Sequence, residues 1–387
     1  MPFSPLTSVA DGDTRWAARH MPLVTRSVRA RAAAFDGKRI AMCLHIEPKT
    51  AVLVGLLAEA GAEVFLTGSP GTTREDTADA LRAAGVTVVG RRSDDEAAHR
   101  RNVERVLGCD PHLVLDNGAD LLAGVMAAGG LPNLIGATEE TTTGGLRVRA
   151  WETPPPFPVV VINDSRLKLL VENEFGVGQS VVQGFVNATN LMLPGARATV
   201  VGYGPCGRGV ANTLARLGAR VSVAETDAYR ALEAVMHGHE VAPLAELLPH
   251  TRLLFLATGA PSVLDGPSLD LVADGTLVAG VGHVAWELDA DALAERTASI
   301  SRIGESGAER ATHLLHDGRS LVVLAGTRMI NLTAAKGNPI EAMDLGLTLQ
   351  ARSLAAVATT PLAPGPQPVP DEVDRAIAAD LVDVLTR

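Results

Sequence analysis

At 387 residues the chain is too long for one hydrophobic core, and at roughly 150 residues per domain it is expected to form two or three domains. Hydrophobic residues at 47% and charged residues at 20% describe a globular protein; aromatics at only 3% leave Leu, Val, Ala and Gly to fill the interior, a mix suited to buried parallel strands. The formal charge of −10 excludes a general nucleic-acid surface, which needs clustered Lys and Arg.

In chain order, Trp16, Met21, Val24 and Val28 recur near the 3.6-residue period and predict helix over 14–34, kinked or restarted at Pro22. The basic cluster from Arg26 to Arg31 lacks interleaved aromatics and reads as a solvated helix face. A strand follows at 39–44, then a helix from Pro48 to Ala60 stopped by Gly61, and a strand at 63–67. A loop and helix over 71–84, a strand at 86–89, a helix at 96–107 and a strand at 112–116 complete the first series. Four prolines within 151–158 mark a connection. A strand at 159–162 comes next, and 164–170 leads through Gly176 and Gly178 into a helix at 179–191. A second series opens at Ala198, with strands at 198–201, 220–224, 253–257, 277–280 and 320–324. A proline-rich stretch over 359–370 precedes a last helix at 371–386. Such alternation predicts an α/β protein with two doubly wound parallel sheets.

The three cysteines are scattered without a CxxC pair, so neither a disulfide framework nor a metal site is expected. The N-terminal stretch carries acidic residues and no apolar core, which argues against a signal peptide. No apolar run approaches the roughly 18 to 20 residues of a membrane span, so a cytoplasmic protein without a membrane or nucleic-acid partner is expected.

The strand at 198–201 runs into Gly202-Tyr203-Gly204-Pro205-Cys206-Gly207 and then a helix from Arg208. This is G-x-G-x-x-G between strand and helix. Gly202 permits the tight turn, Gly204 lets a pyrophosphate approach the backbone, and Gly207 lets helix and strand pack closely. Phosphate charge would meet the N–H groups at the helix start. Glu225 ends the next strand about 20 residues on, where a carboxylate accepts from a ribose 2′-hydroxyl and repels a 2′-phosphate. The expected cofactor is therefore NAD rather than NADP.

Several segments keep a recognisable order along the chain. They are Trp16-Ala17 with His20-Met21-Pro22, Cys43-Leu44-His45, Thr50-Ala51, and Gly61-Ala62-Glu63-Val64. Further on come Glu139-Glu140-Thr141-Thr142-Thr143-Gly144, Asn163-Asp164-Ser165 with Lys168, Glu172 and Asn173, the turn from Gly202 to Gly207, Thr258-Gly259, Gly282-His283 and Asn331-Leu332. In these the chain resembles the S-adenosylhomocysteine hydrolase family. The resemblance implies a substrate-binding domain over 1–178, a central Rossmann NAD-binding domain over 182–337, and a return to the first domain over 340–387. It also implies a homo-oligomer and a nucleoside substrate. Its chemistry is transient oxidation of the sugar 3′-hydroxyl by tightly held NAD. The ketone acidifies the 4′-hydrogen, the 5′ substituent is eliminated, water adds and the ketone is reduced again.

By the same resemblance Lys168 is the base near the 3′-hydroxyl, its pKa lowered by burial or charge, and Glu172 is the carboxylate beside it. Glu140 holds ribose hydroxyls, His45 acts at the 5′ leaving group and His283 lines the channel to it. Thr141, Thr142, Thr143, Asn173, Glu225, Thr258 and Asn331 contact NAD.

Departures from the family pattern are as informative. Asn117, in Asp116-Asn117-Gly118, stands where the family has its catalytic aspartate; an amide is no general base, though it can hydrogen-bond to a hydroxyl. Val177 replaces a cysteine. Glu47 and Lys49 stand at the base-binding positions, and Lys49, a donor only, suits a carbonyl such as that of hypoxanthine or a pyrimidine, or an acid group. Asn338 replaces the histidine of a Gly-His-Pro gate, and the family's basic, tyrosine-containing tail is not found after Thr386. These changes favour a nucleoside thioether enzyme not restricted to S-adenosylhomocysteine. The ordinary hydrolase, and a weak NAD- or nucleoside-binding homologue acting through a partner, stay open as alternatives.

Overall fold

The computed structural model describes residues 12–69, 71–282, 285–304 and 309–386. The chain forms two compact units, one made of Met1–Leu169 with Ile340–Arg387 and the other of Leu170–Pro339. Among the described residues no helix is long and apolar enough to cross a membrane.

In the first unit the strands are β1 (Arg39–Cys43), β2 (Glu63–Thr67), β3 (Thr87–Val88), β4 (Leu113–Asp116), β5 (Gly136–Glu139) and β6 (Pro158–Val161). The second unit holds β7 (Arg197–Val201), β8 (Arg220–Ala224), β9 (Glu240–Val241), β10 (Leu253–Leu256), β11 (Thr276–Gly280), β12 (Thr297–Ile303), β13 (Arg310–Leu315) and β14 (Ser320–Leu324). The last strand, β15 (Gly365–Pro368), returns to the first unit.

The first sheet runs β15-β6-β5-β4-β1-β2-β3, parallel throughout. Its order reverses between β1 and β4, and such a reversal opens a crevice at the carboxyl ends of the two strands. β1, β4, β5 and β6 are almost wholly buried; β1, β4 and β6 accordingly read as mostly apolar runs without alternation, whereas β5, Gly-Ala-Thr-Glu, does not. The helix Pro48–Glu59 after β1 starts with Pro at its first position and a capping box between Glu47 and Thr50. The helix Ile340–Thr359 packs against this sheet and is buried along most of its length. Near its start Asp344 accepts from the N–H groups of Leu23 and Val24, at 2.9 and 2.8 Å, and so caps the helix Pro22–Arg29.

The second sheet runs β12-β13-β14-β11-β10-β7-β8-β9 and reverses between β7 and β10. Its β7–β11 and β14 are parallel, as expected of a doubly wound sheet, but β12 and β13 add an antiparallel edge. Its core is aliphatic apart from Phe185, Phe255 and Tyr203.

Several elements differ from the sequence expectation. The 14–34 helix restarts at Pro22 as expected, where the ring removes a backbone donor, but breaks a second time after Arg29, giving Gly12–Arg19, Pro22–Arg29 and Ala32–Phe35. Residues 168–176 form a π-helix rather than a lead-in, and the following helix starts at Val177. Gly178 lies inside that helix, and a side chain is excluded there because a Cβ would stand 2.5 Å from the Gly209 carbonyl oxygen. β15 falls within the proline-rich stretch; as an edge strand it tolerates residues that cannot donate to a ladder.

Candidate active site

The crevice at the strand reversal of the first unit collects the predicted polar residues. His45 lies two residues past β1, Asn117 directly after β4, and Glu140 directly after β5. Asp116 and Glu139 are register partners at the last paired position of β4 and β5, so the two residues that follow emerge side by side. Lys168 opens the π-helical segment beyond β6.

Two buried carboxylates hold this arrangement from behind. Asp116 accepts from the N–H groups of Asn117 and Leu122 at 2.9 and 2.8 Å. Glu139 accepts from the N–H groups of Gly118, Ala119 and Thr141 and from the Thr141 hydroxyl, at 2.8–3.0 Å. Burial raises both, and Glu139 raises Asp116 further. Sequence reasoning passed over both residues; the only hint was that each directly precedes a candidate.

Glu140 is the centre of the cluster. Its Oε1 meets Lys168 Nζ at 3.3 Å, and its Oε2 accepts from Asn117 Nδ2 at 3.1 Å. Glu140, Asn117 and Lys168 are 7%, 5% and 4% exposed. Burial pushes the Glu140 carboxyl up, but the charges of Lys168 and His45 and the two hydrogen bonds outweigh it and hold the group below its ordinary value. Asn117 Oδ1 is buried, and among the described residues none donates to it. Beside β1, Lys49 Nζ and Glu47 Oε2 pair at 2.8 Å with both side chains largely buried, one at each end of a donor–acceptor pair.

Thr141 caps the helix Thr142–Arg149 by accepting from the Gly144 N–H, and Thr142 accepts from Asn163 at 2.7 Å. Thr143 is half-buried in the first turn of that helix.

The second unit carries the remaining predicted residues. After β7, Gly202 takes φ +92° and its N–H donates to the Ala224 carbonyl at 2.8 Å. A Cβ at Gly207 would overlap the Gly202 carbonyl, whereas one at Gly204 would find only the far end of Arg230, 3.9 Å away. The turn is therefore closed on its inner side and open over the start of the helix Pro205–Arg216, which is the cradle a pyrophosphate requires. Glu225 closes β8 and accepts from the N–H groups of Tyr203, Thr226 and Asp227 at 2.7–2.9 Å. Those bonds outweigh its partial burial and hold its carboxyl low, hence ionised. Across the reversal, Thr258 follows β10 by two residues. Its N–H and hydroxyl, with the Gly259 N–H, donate to the buried Glu287, a residue that sequence reasoning missed.

Asn331, also buried, donates to Ser180 Oγ and Asn338 Oδ1, each at 3.3 Å, while its own buried Oδ1 has no partner among the described residues. Ser180 donates to Asn338 Oδ1 at 3.0 Å, and Asn338 reaches Glu172 Oε1 at 3.5 Å. Ser180 is the link that ties these groups together, and no motif announced it. Asn173 is half-buried in the π-helix, where the neighbouring Glu174 pairs with Arg208 at 2.9 Å. His283 lies outside the described residues.

A doubly wound sheet with a glycine cradle, an acidic strand end and a second strand-end turn at the reversal defines the class of NAD-binding α/β enzymes. The match to family models is more particular. Residues 173–337 match the S-adenosyl-L-homocysteine hydrolase NAD-binding domain, and residues 13–131 match S-adenosyl-L-homocysteine hydrolase. The S-inosyl-L-homocysteine hydrolase of Methanopyrus kandleri is 38% identical over 94% of this chain and 87% of its own length. The adenosylhomocysteinase of Thermotoga maritima is 36% identical over 96% of this chain and 93% of its own. A second S-inosyl-L-homocysteine hydrolase, from Methanothermobacter thermautotrophicus, is 35% identical over 96% and 90%. The chain belongs to the S-adenosyl-L-homocysteine hydrolase family and is an NAD-dependent enzyme of that family.

Proposed function

We propose that the enzyme cleaves or forms the thioether between homocysteine and a purine nucleoside, with a 6-oxopurine preferred over adenine. The observation that carries this reading is the buried Glu47–Lys49 pair. A 6-oxopurine presents a carbonyl acceptor at C6 beside an N–H donor at N1, and the pair offers an ammonium donor beside a carboxylate acceptor. Two of the relatives above are named for the inosyl substrate, which agrees with this chemistry.

NAD, when bound, supplies the hydride acceptor and donor. Within the second unit Gly202, Gly204 and Gly207 would hold its pyrophosphate, Glu225 a ribose hydroxyl, and Thr258, Asn331 and Asn173 the remainder. Glu140 accepts from sugar hydroxyls, and its pairing with Lys168 fixes the lysine stem. Lys168 Nζ, as the neutral amine, takes the proton of the reacting hydroxyl. Asn117 cannot exchange a proton, so proton delivery to the 5′ leaving group, and its removal from the water that replaces that group, fall to His45.

A second reading, the ordinary adenosylhomocysteinase, is favoured by the Thermotoga relative and by the same pair met in reverse order, with Glu47 accepting from the adenine amine. The two are separated by mixing NAD-loaded protein with inosine, adenosine, uridine or S-adenosylhomocysteine and following bound reduced nicotinamide by absorbance. Inosine is expected to react with at least about tenfold higher kcat/KM than adenosine, and Lys49→Glu to narrow or invert that ratio. An adenosine preference in the parent protein, or a ratio unmoved by Lys49→Glu, overturns the 6-oxopurine reading.

A further inference from the structure

We propose that Asn117 is a substrate-binding and positioning residue, whose amide nitrogen orients Glu140 and whose carbonyl oxygen accepts the hydrogen of a sugar hydroxyl. The inference rests on the nucleoside reading of this site. Three observations support it. The Asn117 backbone is fixed, its N–H held by Asp116 and the next two N–H groups held by Glu139, so the side chain has little freedom to turn away. Its Nδ2 is committed to Glu140 Oε2 at 3.1 Å. That leaves Oδ1 with its acceptor capacity unused in a buried place, an arrangement that is unfavourable unless something donates to it.

The neutral amide also sets the charge of the cluster. Glu140 faces Lys168 from the π-helical segment, His45 from beyond β1 and Asn117 from beyond β4, with the carboxyls of Asp116 and Glu139 turned into the backbone behind. With an amide at 117, Glu140 stays ionised opposite Lys168 and both its oxygens remain acceptors. A carboxylate at 117 would stand about as close to Glu140 Oε2 as Nδ2 does, 3.1 Å. Two carboxyls that near cannot both ionise, so the pair would share a proton until the pH rose. In the variant Asn117→Asp, the protonated carboxyl would mimic the amide, donating to Glu140 while keeping a carbonyl acceptor; the ionised carboxylate would repel Glu140.

The test compares NAD-loaded parent protein with Asn117→Asp and Asn117→Ala, measuring the dissociation constant for inosine by calorimetry at about pH 5.5 and about pH 8.5. Intact mass is checked first, because Asn117-Gly118 is an Asn-Gly dipeptide and its deamidation, through a succinimide to isoaspartate and aspartate, would put a carboxylate into the parent. Relative to the parent, Asn117→Asp is expected to bind about tenfold or more weakly at the higher pH and to recover toward parity at the lower. Asn117→Ala is expected to be weakened about tenfold at both, without recovery. A ratio for Asn117→Asp that does not move with pH, or parent-like binding by Asn117→Ala, overturns the proposal. If the parent binds neither inosine nor adenosine, the nucleoside reading fails and takes the hydroxyl contact with it. The charge effect is then read from thermal unfolding, where Asn117→Asp should fall below the parent at high pH only.

Discussion

Gly204 and Gly207 stand three residues apart in one turn, yet alanine at the two positions is expected to fail in different ways. A methyl at 207 overlaps the Gly202 carbonyl, coming within 2.9 Å of its carbon, and meets Ala257 Cβ at 3.4 Å. None of these neighbours is the far end of a flexible side chain, so relief requires moving the helix off the strand. Overpacking of this kind costs about 1–3 kcal/mol, and a rigid carbonyl puts it near about 3. At about 2–4 °C per kcal/mol, Gly207→Ala should unfold roughly 6–12 °C below the parent protein without cofactor. At 204 the backbone has φ −64°, open to any residue, and the new methyl meets nothing nearer than 3.9 Å. Gly204→Ala should therefore unfold within about 0.5 kcal/mol of the parent.

The cofactor reverses the order of harm. At a hundredfold excess over its dissociation constant, NAD adds about 2.7 kcal/mol to the parent protein. The 204 methyl occupies the space over the helix start, and a hundredfold loss of affinity would leave about 0.4 kcal/mol of that gain. Thermal unfolding of the three proteins with and without NAD measures both effects. An undiminished NAD shift in Gly204→Ala would refute the cradle, and a parent-like transition in cofactor-free Gly207→Ala would refute the packing argument.

Two further outcomes follow from buried carboxylates. Burial pushes Asp344 up from 3.8 to about 6, so the folded state binds its proton more tightly than the unfolded chain does. Its contribution to stability is therefore fully present below about pH 4 and falls by up to about 3 kcal/mol as pH rises to 6. Asp344→Asn should flatten that slope in denaturant titrations, whereas parallel profiles would count against it. Glu287→Ala should release the Thr258-Gly259 turn and weaken NAD binding about tenfold, measured by calorimetry. An unchanged dissociation constant would show that the turn holds itself.

The sequence was most legible where local physics and tertiary structure agree. The strands β1, β2, β7, β8, β10, β11 and β14 are apolar runs bounded by turn residues, and the helices Pro48–Glu59 and Glu96–Leu107 carry their own start and stop signals. The strand–glycine turn–helix of the cofactor cradle is legible because its spacing is local, with Gly202 at positive φ and Gly207 packed on the Gly202 carbonyl within one turn. β5, with Gly-Ala-Thr-Glu, has no apolar run to announce it and is a strand because β4 and β6 flank it. The exposed β12 has no alternation of burial and owes its existence to pairing with β13. The π-helix at 168–176 lacks any local mark that separates it from an ordinary turn.

The same division runs through the site. By itself the sequence determined which chemical groups are present: a lysine, several carboxylates, an amide where a carboxylate would titrate, and a lysine where a base-binding acceptor would stand. Only the tertiary structure decided their partners. Lys168 lies 28 positions from Glu140 and Asn117 lies 23 away, and parallel strand order brings all three to one crevice. Whether a buried carboxylate is ionised, and whether an amide oxygen is satisfied, depends on groups within a few ångströms in space, a distance that order along the chain does not encode.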